Sequence, residues 1–120
     1  MLFLGANQAR VHTLEEATEI LDVFQQFGHS EIDTARVYGG GSSERFLGQL
    51  DWQKRGIVMD TKLSPNGKQY SHQPASVRQG LLDSLKALGT DKVSRISKMH
   101  HAYHLSGILL AHSLLHVAIG

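Results

Sequence analysis

The segment Gly-Ile-Val-Met-Asp-Thr-Lys at residues 56–62 gives the clearest indication of fold class in this sequence. Its apolar run lies between a glycine and the loop-forming Ser-Pro-Asn-Gly of residues 64–67, a pattern typical of a short buried strand. A strand of this kind is favoured in a parallel sheet that helices cover. The sequence on both sides should therefore supply helices.

The sequence before this strand predicts one helix and one further strand. Thr13-Leu-Glu-Glu16 has the spacing of a capping box, and apolar residues then recur at helical intervals as far as Phe27. Gly28 is suited to end that helix, because a left-handed backbone costs glycine little. Residues 29–33, His-Ser-Glu-Ile-Asp, predict a short strand.

Two more helices are predicted, one on each side of the central strand. Ser42 or Ser43 is expected to cap the first of them, which ends near Leu50. The second begins at Pro74, a residue well suited to the first helical turn, and Gly89 closes it. Helices and strands therefore alternate, and the predicted fold class is α/β with parallel strands.

Composition excludes several classes of function. The 120 residues are 41% hydrophobic and 19% charged, with a net charge of +1, so no strong field attracts nucleic acid or an anionic membrane. The absence of cysteine excludes disulfides, thiolate zinc sites and cysteine catalysis. No secretory signal is visible, and a cytoplasmic location is the expectation.

The charge distribution predicts a boundary after residue 93. Residues 1–93 hold ten basic residues and all eleven acidic ones, whereas residues 94–120 hold no acidic residue and five of the eight histidines. The first part is expected to be a domain and the second a His-rich apolar tail of different origin. Val93-Ser94 is what the consensus splice donor encodes in frame, which suggests the hypothesis that the tail is translated intron.

Neither a membrane span nor a native metal site is predicted in the tail. Its apolar stretch, residues 105–119, is shorter than the roughly 20 residues that cross a bilayer. We expect it to form a helix that packs on exposed sheet, with disorder or aggregation as the main alternative and a membrane-associated helix as a weaker one. His100 and His104, like His112 and His116, are four residues apart, but no carboxylate accompanies them.

Asp33, Tyr38 and Lys62 are the candidate site residues. Asp33 and Tyr38 follow one predicted strand and Lys62 ends the next, so all three should lie at the carboxyl edge of a parallel sheet, where sites form. An ammonium group stabilises a neighbouring phenolate, and a carboxylate fixes the ammonium. Such a tyrosine can protonate an oxygen that gains charge, as a carbonyl oxygen does when the carbon receives hydride.

Ordinary alternatives stay open at this point. Aspartate and tyrosine are common in loops, and a lysine at a strand end is usually solvated. Residues 39–43, Gly-Gly-Gly-Ser-Ser, precede a helix as a phosphate cradle does, but they lack the P-loop pattern and indicate a flexible loop on the substrate side.

Three segments in order resemble the aldo-keto reductases. Glu31-Ile-Asp-Thr-Ala-Arg-Val-Tyr-Gly39 is similar to the family's D-x-A-x-x-Y signature, and Asp-Thr-Lys62 to the lysine that ends its next strand. Leu-Lys-Ala-Leu-Gly-Thr-Asp-Lys-Val93 resembles the approach to the strand after that. The D-T-A-x-x-Y form is most similar to the aflatoxin-aldehyde reductase branch, and the resemblance covers about residues 7–93.

The resemblance implies the N-terminal portion of a (β/α)8 TIM barrel, incomplete, with about three β/α units. It also implies NADP(H)-dependent reduction of a small-molecule aldehyde or ketone. Tyr38 would be the general acid, Lys62 would tune it and Asp33 would hold Lys62; Asp33 and Lys62 would contact the cofactor.

Two departures from the family pattern limit what is expected of the chain itself. The family's catalytic histidine falls on Met99, with His100 and His101 placed too late, and a complete barrel needs about 250 residues. Activity is expected to be impaired or absent. The alternative is a non-catalytic fragment that associates with a full-length relative or another partner, and the open sheet edges also favour self-association.

Overall fold

The computed structural model of the chain describes residues 10–98. The reduced first strand expected at residues 1–4 lies outside these residues. So do Met99, the five histidines of the tail and the apolar stretch 105–119.

Helices and strands alternate in the order that the sequence predicts. The three helices are α1 (Leu14–Gln26), α2 (Ser42–Gly48) and α3 (Pro74–Leu88). The three strands are β1 (Glu31–Asp33), β2 (Val58–Leu63) and β3 (Arg95–Lys98). The strands form a parallel sheet in the order β1-β2-β3, which confirms an α/β fold with about three β/α units.

The capping box at the start of α1 is confirmed. The Thr13 hydroxyl accepts the Glu16 backbone N–H at 3.2 Å, and the Glu16 carboxylate accepts the backbone N–H groups of Thr13 and His12. These backbone bonds hold the pKa of Glu16 below its usual value. Phe27, predicted as part of the apolar stripe, is 76% exposed. The helix ends at Gln26, and residue 27 does not lie on the helix face that buries Ala17 and Leu21.

The predicted cap of α2 is wrong. Gly41 is the N-cap, with φ 90° and ψ 0°, and Ser42 and Ser43 are the first two residues of the helix itself. Both serines are buried. A left-handed residue is needed to turn the chain from the glycine run into the helix, and glycine alone adopts that conformation without strain.

α3 begins at Pro74 and ends before Gly89, as the sequence predicts. Its buried residues are Gly80, Ser84 and Leu88, whereas the apolar residues Val77, Leu81 and Leu85 are half-buried. Small side chains on this face let the helix approach the sheet closely, and a Cβ at residue 80 would meet the Leu63 side chain.

The helices cover one face of the sheet. Met59, Thr61 and Leu63 of β2 are buried, while the alternate residues Asp60 and Lys62 are half-buried on the opposite face. The apolar core lies on the covered face and draws on all three helices, β2 and the connections between them: Val11, Ala17, Leu21, Leu47, Leu50, Trp52, Ile57, Met59 and Leu88.

β3 lies beyond residue 93, where the charge distribution predicts a boundary. It pairs with β2 through Asp60 with Arg95 and Lys62 with Ser97. The charge of Arg95 is tolerated because its guanidinium is half exposed and lies 3.9 Å from the Asp60 carboxylate. The predicted division into residues 1–93 and 94–120 stays a prediction.

Candidate active site

Lys62 lies near the carboxyl end of β2 and forms an ion pair with Asp33, the last residue of β1. The Lys62 Nζ is 2.5 Å from the Asp33 Oδ2. Asp33 pairs with Asp60 in the sheet, so Lys62 lies two residues further along the neighbouring strand, on the same face. The lysine side chain is 18% exposed and the aspartate 66%, so the ammonium is the more enclosed partner.

Tyr38 completes the predicted trio. It begins a short 3₁₀ turn, Tyr38–Gly41, that follows β1. The Lys62 Nζ lies 5.4 Å from the centroid of the Tyr38 ring, within the range of a cation–π contact. The structure therefore brings together all three residues that the sequence analysis selected.

Backbone hydrogen bonds continue the β1–β2 pairing past the end of β1. The Thr34 N–H donates to the Asp60 carbonyl and the Arg36 N–H to the Lys62 carbonyl, each at 2.9 Å. Tyr38 is thus two residues from a backbone bond to Lys62 itself. This pairing explains why a tyrosine outside the strand lies beside a lysine inside the next one.

A buried polar cluster close to the trio was not predicted from the sequence. Glu44 of α2 is 0% exposed and is bonded to Arg36 and to the Thr61 hydroxyl. The available signal was its spacing: Glu44 precedes Leu47 by three residues and so shares the apolar face of its helix. A carboxylate at that position predicts a buried partner.

Asp60 is a second missed carboxylate. It shares a face of β2 with Lys62, and burial, aided by Asp33 and Glu31, raises its pKa above the usual value despite the opposing effect of Arg95. The alternation of Asp60 and Lys62 along β2 was the signal for it. Two carboxylates, Asp33 and Asp60, therefore flank the lysine, although only Asp33 forms an ion pair with it.

A cleft of about 460 Å³ lies between α2, α3 and the loop before α3, and Arg36 also lines it. Polar residues dominate its lining, which includes Arg45, Gln49 and Lys86, and none of the trio takes part. On its wall the Tyr70 hydroxyl donates to the Asp83 carboxylate at 2.7 Å. The chemistry of the trio, rather than the size of this cleft, identifies the candidate site.

The described part of the chain offers neither a metal-binding cluster nor a helix that could span a membrane. Residues 10–98 contain no cluster of three or more histidine, aspartate or glutamate side chains able to hold a metal ion. Within the same residues, no helix has both the length and the apolar character needed to cross a bilayer.

Several curated relatives of the chain carry reductase names, and others are named oxidoreductase or aryl-alcohol dehydrogenase. The aldo-keto reductase pigE of Monascus ruber is 45% identical over 100 residues, which cover 77% of this chain and 28% of that protein. Human aflatoxin B1 aldehyde reductase member 2 is 41% identical over 75 residues, which cover 58% of this chain and 20% of that protein. The second relative carries the name of the branch to which the D-T-A-x-x-Y form pointed.

Solved structures give the same fold. An aldo-keto reductase structure from Pseudomonas aeruginosa aligns with a TM-score of 0.65 and 29% identity, over 77% of this chain and 36% of that one. An aldo-keto reductase of Klebsiella pneumoniae in complex with NADPH aligns with a TM-score of 0.64 and 22% identity, over 81% of this chain and 32% of that one. The three-stranded sheet is therefore an incomplete TIM barrel, as predicted.

The chain spans about a fifth to a third of the length of these proteins, between the 20% of the human relative and the 36% of the Pseudomonas structure. The match nevertheless extends further along the chain than the predicted 7–93. The sequence profile of the Aldo/keto reductase family covers residues 1–106, and the chain belongs to that family.

Proposed function

We propose that this chain carries the proton-donating residues of an NADP(H)-dependent reductase of aldehydes and ketones. One observation carries the proposal: the Lys62 ammonium lies between the Asp33 carboxylate, at 2.5 Å, and the Tyr38 ring, at 5.4 Å from its centroid. Family membership and the reductase names of the relatives support it.

In the proposed reaction Tyr38 is the general acid. The substrate carbonyl oxygen accepts a hydrogen bond from the Tyr38 hydroxyl and takes its proton as the carbonyl carbon receives hydride, which gives an alcohol. Lys62 stabilises the phenolate that remains on Tyr38. Asp33 holds the ammonium in place and balances its charge when the tyrosine is neutral.

The residues at this sheet edge fit the reacting end of NADP(H), the cofactor that the family implies. The half-buried Lys62 ammonium and the Tyr38 phenol are donors suited to an oxygen that gains negative charge, and the Asp33 carboxylate accepts from the ammonium and holds it in place. Asp33 and Lys62 are the residues that would contact the cofactor, which supplies hydride when bound. The choice of NADP(H) rests on family membership, and the Klebsiella structure of the same fold was solved in complex with NADPH.

Turnover by this chain alone should be low. The described sheet has three strands, whereas a complete barrel closes with eight, and catalytic residues of such barrels come from the ends of several strands. The proposal therefore concerns the role of the trio. We expect a weak reductase activity that depends on Tyr38.

The test replaces Tyr38 with phenylalanine. Tyr38→Phe removes the donated proton but keeps the ring beside Lys62, so aldehyde-dependent consumption of NADPH should fall by about 100-fold or more. Binding of NADPH, followed by its fluorescence, should be unchanged. The measurement is the initial rate with aldehydes at saturating NADPH.

Tyr70→Phe is the matched control, because it removes a tyrosine hydroxyl that lies in the cleft between α2 and α3 and outside the trio. Its rate per folded molecule should equal that of the unaltered chain. Equal rates for Tyr38→Phe and the unaltered chain would refute Tyr38 as the acid. A folded chain that binds no NADPH would refute the proposed cofactor.

The second candidate function is a non-catalytic fragment that associates with a full-length relative, another partner or a second copy of itself. The sheet favours it, because within residues 10–98 both β1 and β3 pair with β2 alone. Sedimentation over a range of concentrations separates the two readings. A mass above 13.2 kDa that rises with concentration, in a chain that binds no NADPH, would support association.

A further inference from the structure

Glu44 is a charged side chain that the structure removes entirely from water. Its residue is 0% exposed, on the first turn of α2. A buried carboxylate is costly unless both of its oxygens have partners. Both do: the Arg36 Nη1 lies 2.5 Å from Oε2, and the Thr61 hydroxyl donates to Oε1 at 2.7 Å. A side chain so fully bonded fixes the relative positions of the elements it joins.

The two partners of Glu44 are neighbours of the proposed catalytic residues. Arg36 lies two residues before Tyr38, and Thr61 comes directly before Lys62. The backbone already joins the same two segments, because the Arg36 N–H donates to the Lys62 carbonyl at 2.9 Å. The Arg36–Glu44–Thr61 bridge adds a second connection between them, through side chains.

The glycines at residues 39–41 lead to a contact with this bridge. The Arg36 Nη2 donates to the Gly41 carbonyl at 3.4 Å, and a Cβ on residue 41 would collide with the guanidinium. Gly41 is also the residue from which α2 begins. The turn that carries Tyr38 therefore ends at a residue whose carbonyl accepts a hydrogen bond from Arg36.

We propose that Glu44 is a positioning residue, which holds the turn carrying Tyr38 against the strand carrying Lys62 through Arg36 and Thr61. Its meaning for catalysis rests on the proposed function, whereas the positioning itself does not. Removal of the bridge should therefore separate Tyr38 from Lys62 in a chain that is still folded.

The test compares Thr61→Val and Glu44→Gln with the unaltered chain. Thr61→Val removes one hydroxyl at nearly constant shape, and Glu44→Gln removes the charge that Arg36 needs. The readout is the nuclear Overhauser cross-peak between the Lys62 ε-methylene and the Tyr38 ring protons. We expect it to be present in the unaltered chain, weaker in Thr61→Val and absent in Glu44→Gln.

Trp52→Phe is the control for a loss of stability alone. The Trp52 indole N–H donates to the Leu88 carbonyl at 3.0 Å in the core, away from the bridge. This variant should unfold at a lower urea concentration yet keep the cross-peak at full intensity. If Glu44→Gln does not fold, Thr61→Val decides the matter alone.

Three outcomes separate the positioning from the proposed function. A full-intensity cross-peak in folded Thr61→Val and Glu44→Gln, or no cross-peak in the unaltered chain, would overturn the positioning role. Loss of the cross-peak together with a fall in kcat of roughly 10- to 100-fold at unchanged KM would support both. Loss of the cross-peak with an unchanged kcat would support the positioning and overturn the catalytic role of the trio.

Discussion

Two acid–base pairs lie close together in this chain and differ in what they contribute. Asp33 is 66% exposed, and exposed ion pairs add little to the free energy of unfolding, so its pairing with Lys62 serves to place a charge. Glu44 and Arg36 are buried, and loss of either partner leaves the other charge uncompensated. The exposed pair is thus suited to chemistry and the buried pair to structure.

Tyr70 and Asp83 predict a pH-dependent stability. Burial, and then the hydrogen bond to Asp83, raise the pKa of Tyr70 to about 12, while that bond and the one from Gln79 lower the pKa of Asp83. Tyr70→Phe should lower the free energy of unfolding at pH 7 by about 1–2 kcal/mol. Urea unfolding of the variant and the unaltered chain measures this difference.

The free energy of unfolding should change in opposite directions with pH at the acidic and basic ends of the range. Because the pKa of Asp83 is lowered by folding, its contribution is complete above about pH 4 and is lost as the pH falls further. Because the pKa of Tyr70 is raised, its contribution is complete below about pH 10 and is lost as the pH rises through about 12. A difference between the two proteins that stayed constant from pH 7 to pH 3 would contradict the first statement.

At the scale of the elements, α2 and α3 pack through a glycine. A Cβ on Gly48 would collide with the Ala87 carbonyl oxygen and lie close to the Leu88 backbone. Backbone atoms cannot move aside as the end of a side chain can. The distance between the two helices is therefore set by the absence of a side chain at residue 48.

Gly48→Ala should destabilise the chain, although alanine is the better helix former. The methyl group has to push α3 away from α2, and overpacking of this kind costs about 1–3 kcal/mol. Gln49→Ala, at the exposed neighbouring residue, is the control and should change stability by less than about 0.5 kcal/mol. Unfolding in urea measures both, and an increase in stability for Gly48→Ala would show that the helices separate freely.

Local signals predicted most of the helix ends and the alternation of helices and strands, whereas contacts distant in sequence had no local signal. The capping box at Thr13 and the breaks at Pro74 and Gly89 depend on neighbouring residues, and the structure confirms them. The cap at Gly41 depends on Arg36, whose guanidinium occupies the space of a Cβ, and the sequence analysis chose a serine instead. The Asp33–Lys62 contact was predictable because adjacent strands place their ends together.

At the scale of the whole molecule, the three helices within residues 10–98 cover one face of the sheet and leave the other partly exposed. The uncovered face carries Asp33, Asp60 and Lys62, whereas the interior of a complete barrel is filled mainly by bulky branched residues. The sequence predicted the incomplete barrel from length and family motifs. The Glu44 cluster was not predictable in the same way, because it joins three segments that only the fold brings together.

The partly exposed, charged face of the sheet has a consequence for calorimetry. Unfolding of ordinary domains raises the heat capacity by about 12–15 cal/mol/K per residue, because apolar surface becomes hydrated. A sheet whose second face is charged and half exposed buries less apolar surface, so this chain should give a value below about 12 cal/mol/K per residue. The dependence of its free energy of unfolding on temperature should then be flatter than that of an ordinary domain. Differential scanning calorimetry over a range of pH measures the increment, and an ordinary value would mean that the second face is covered in solution.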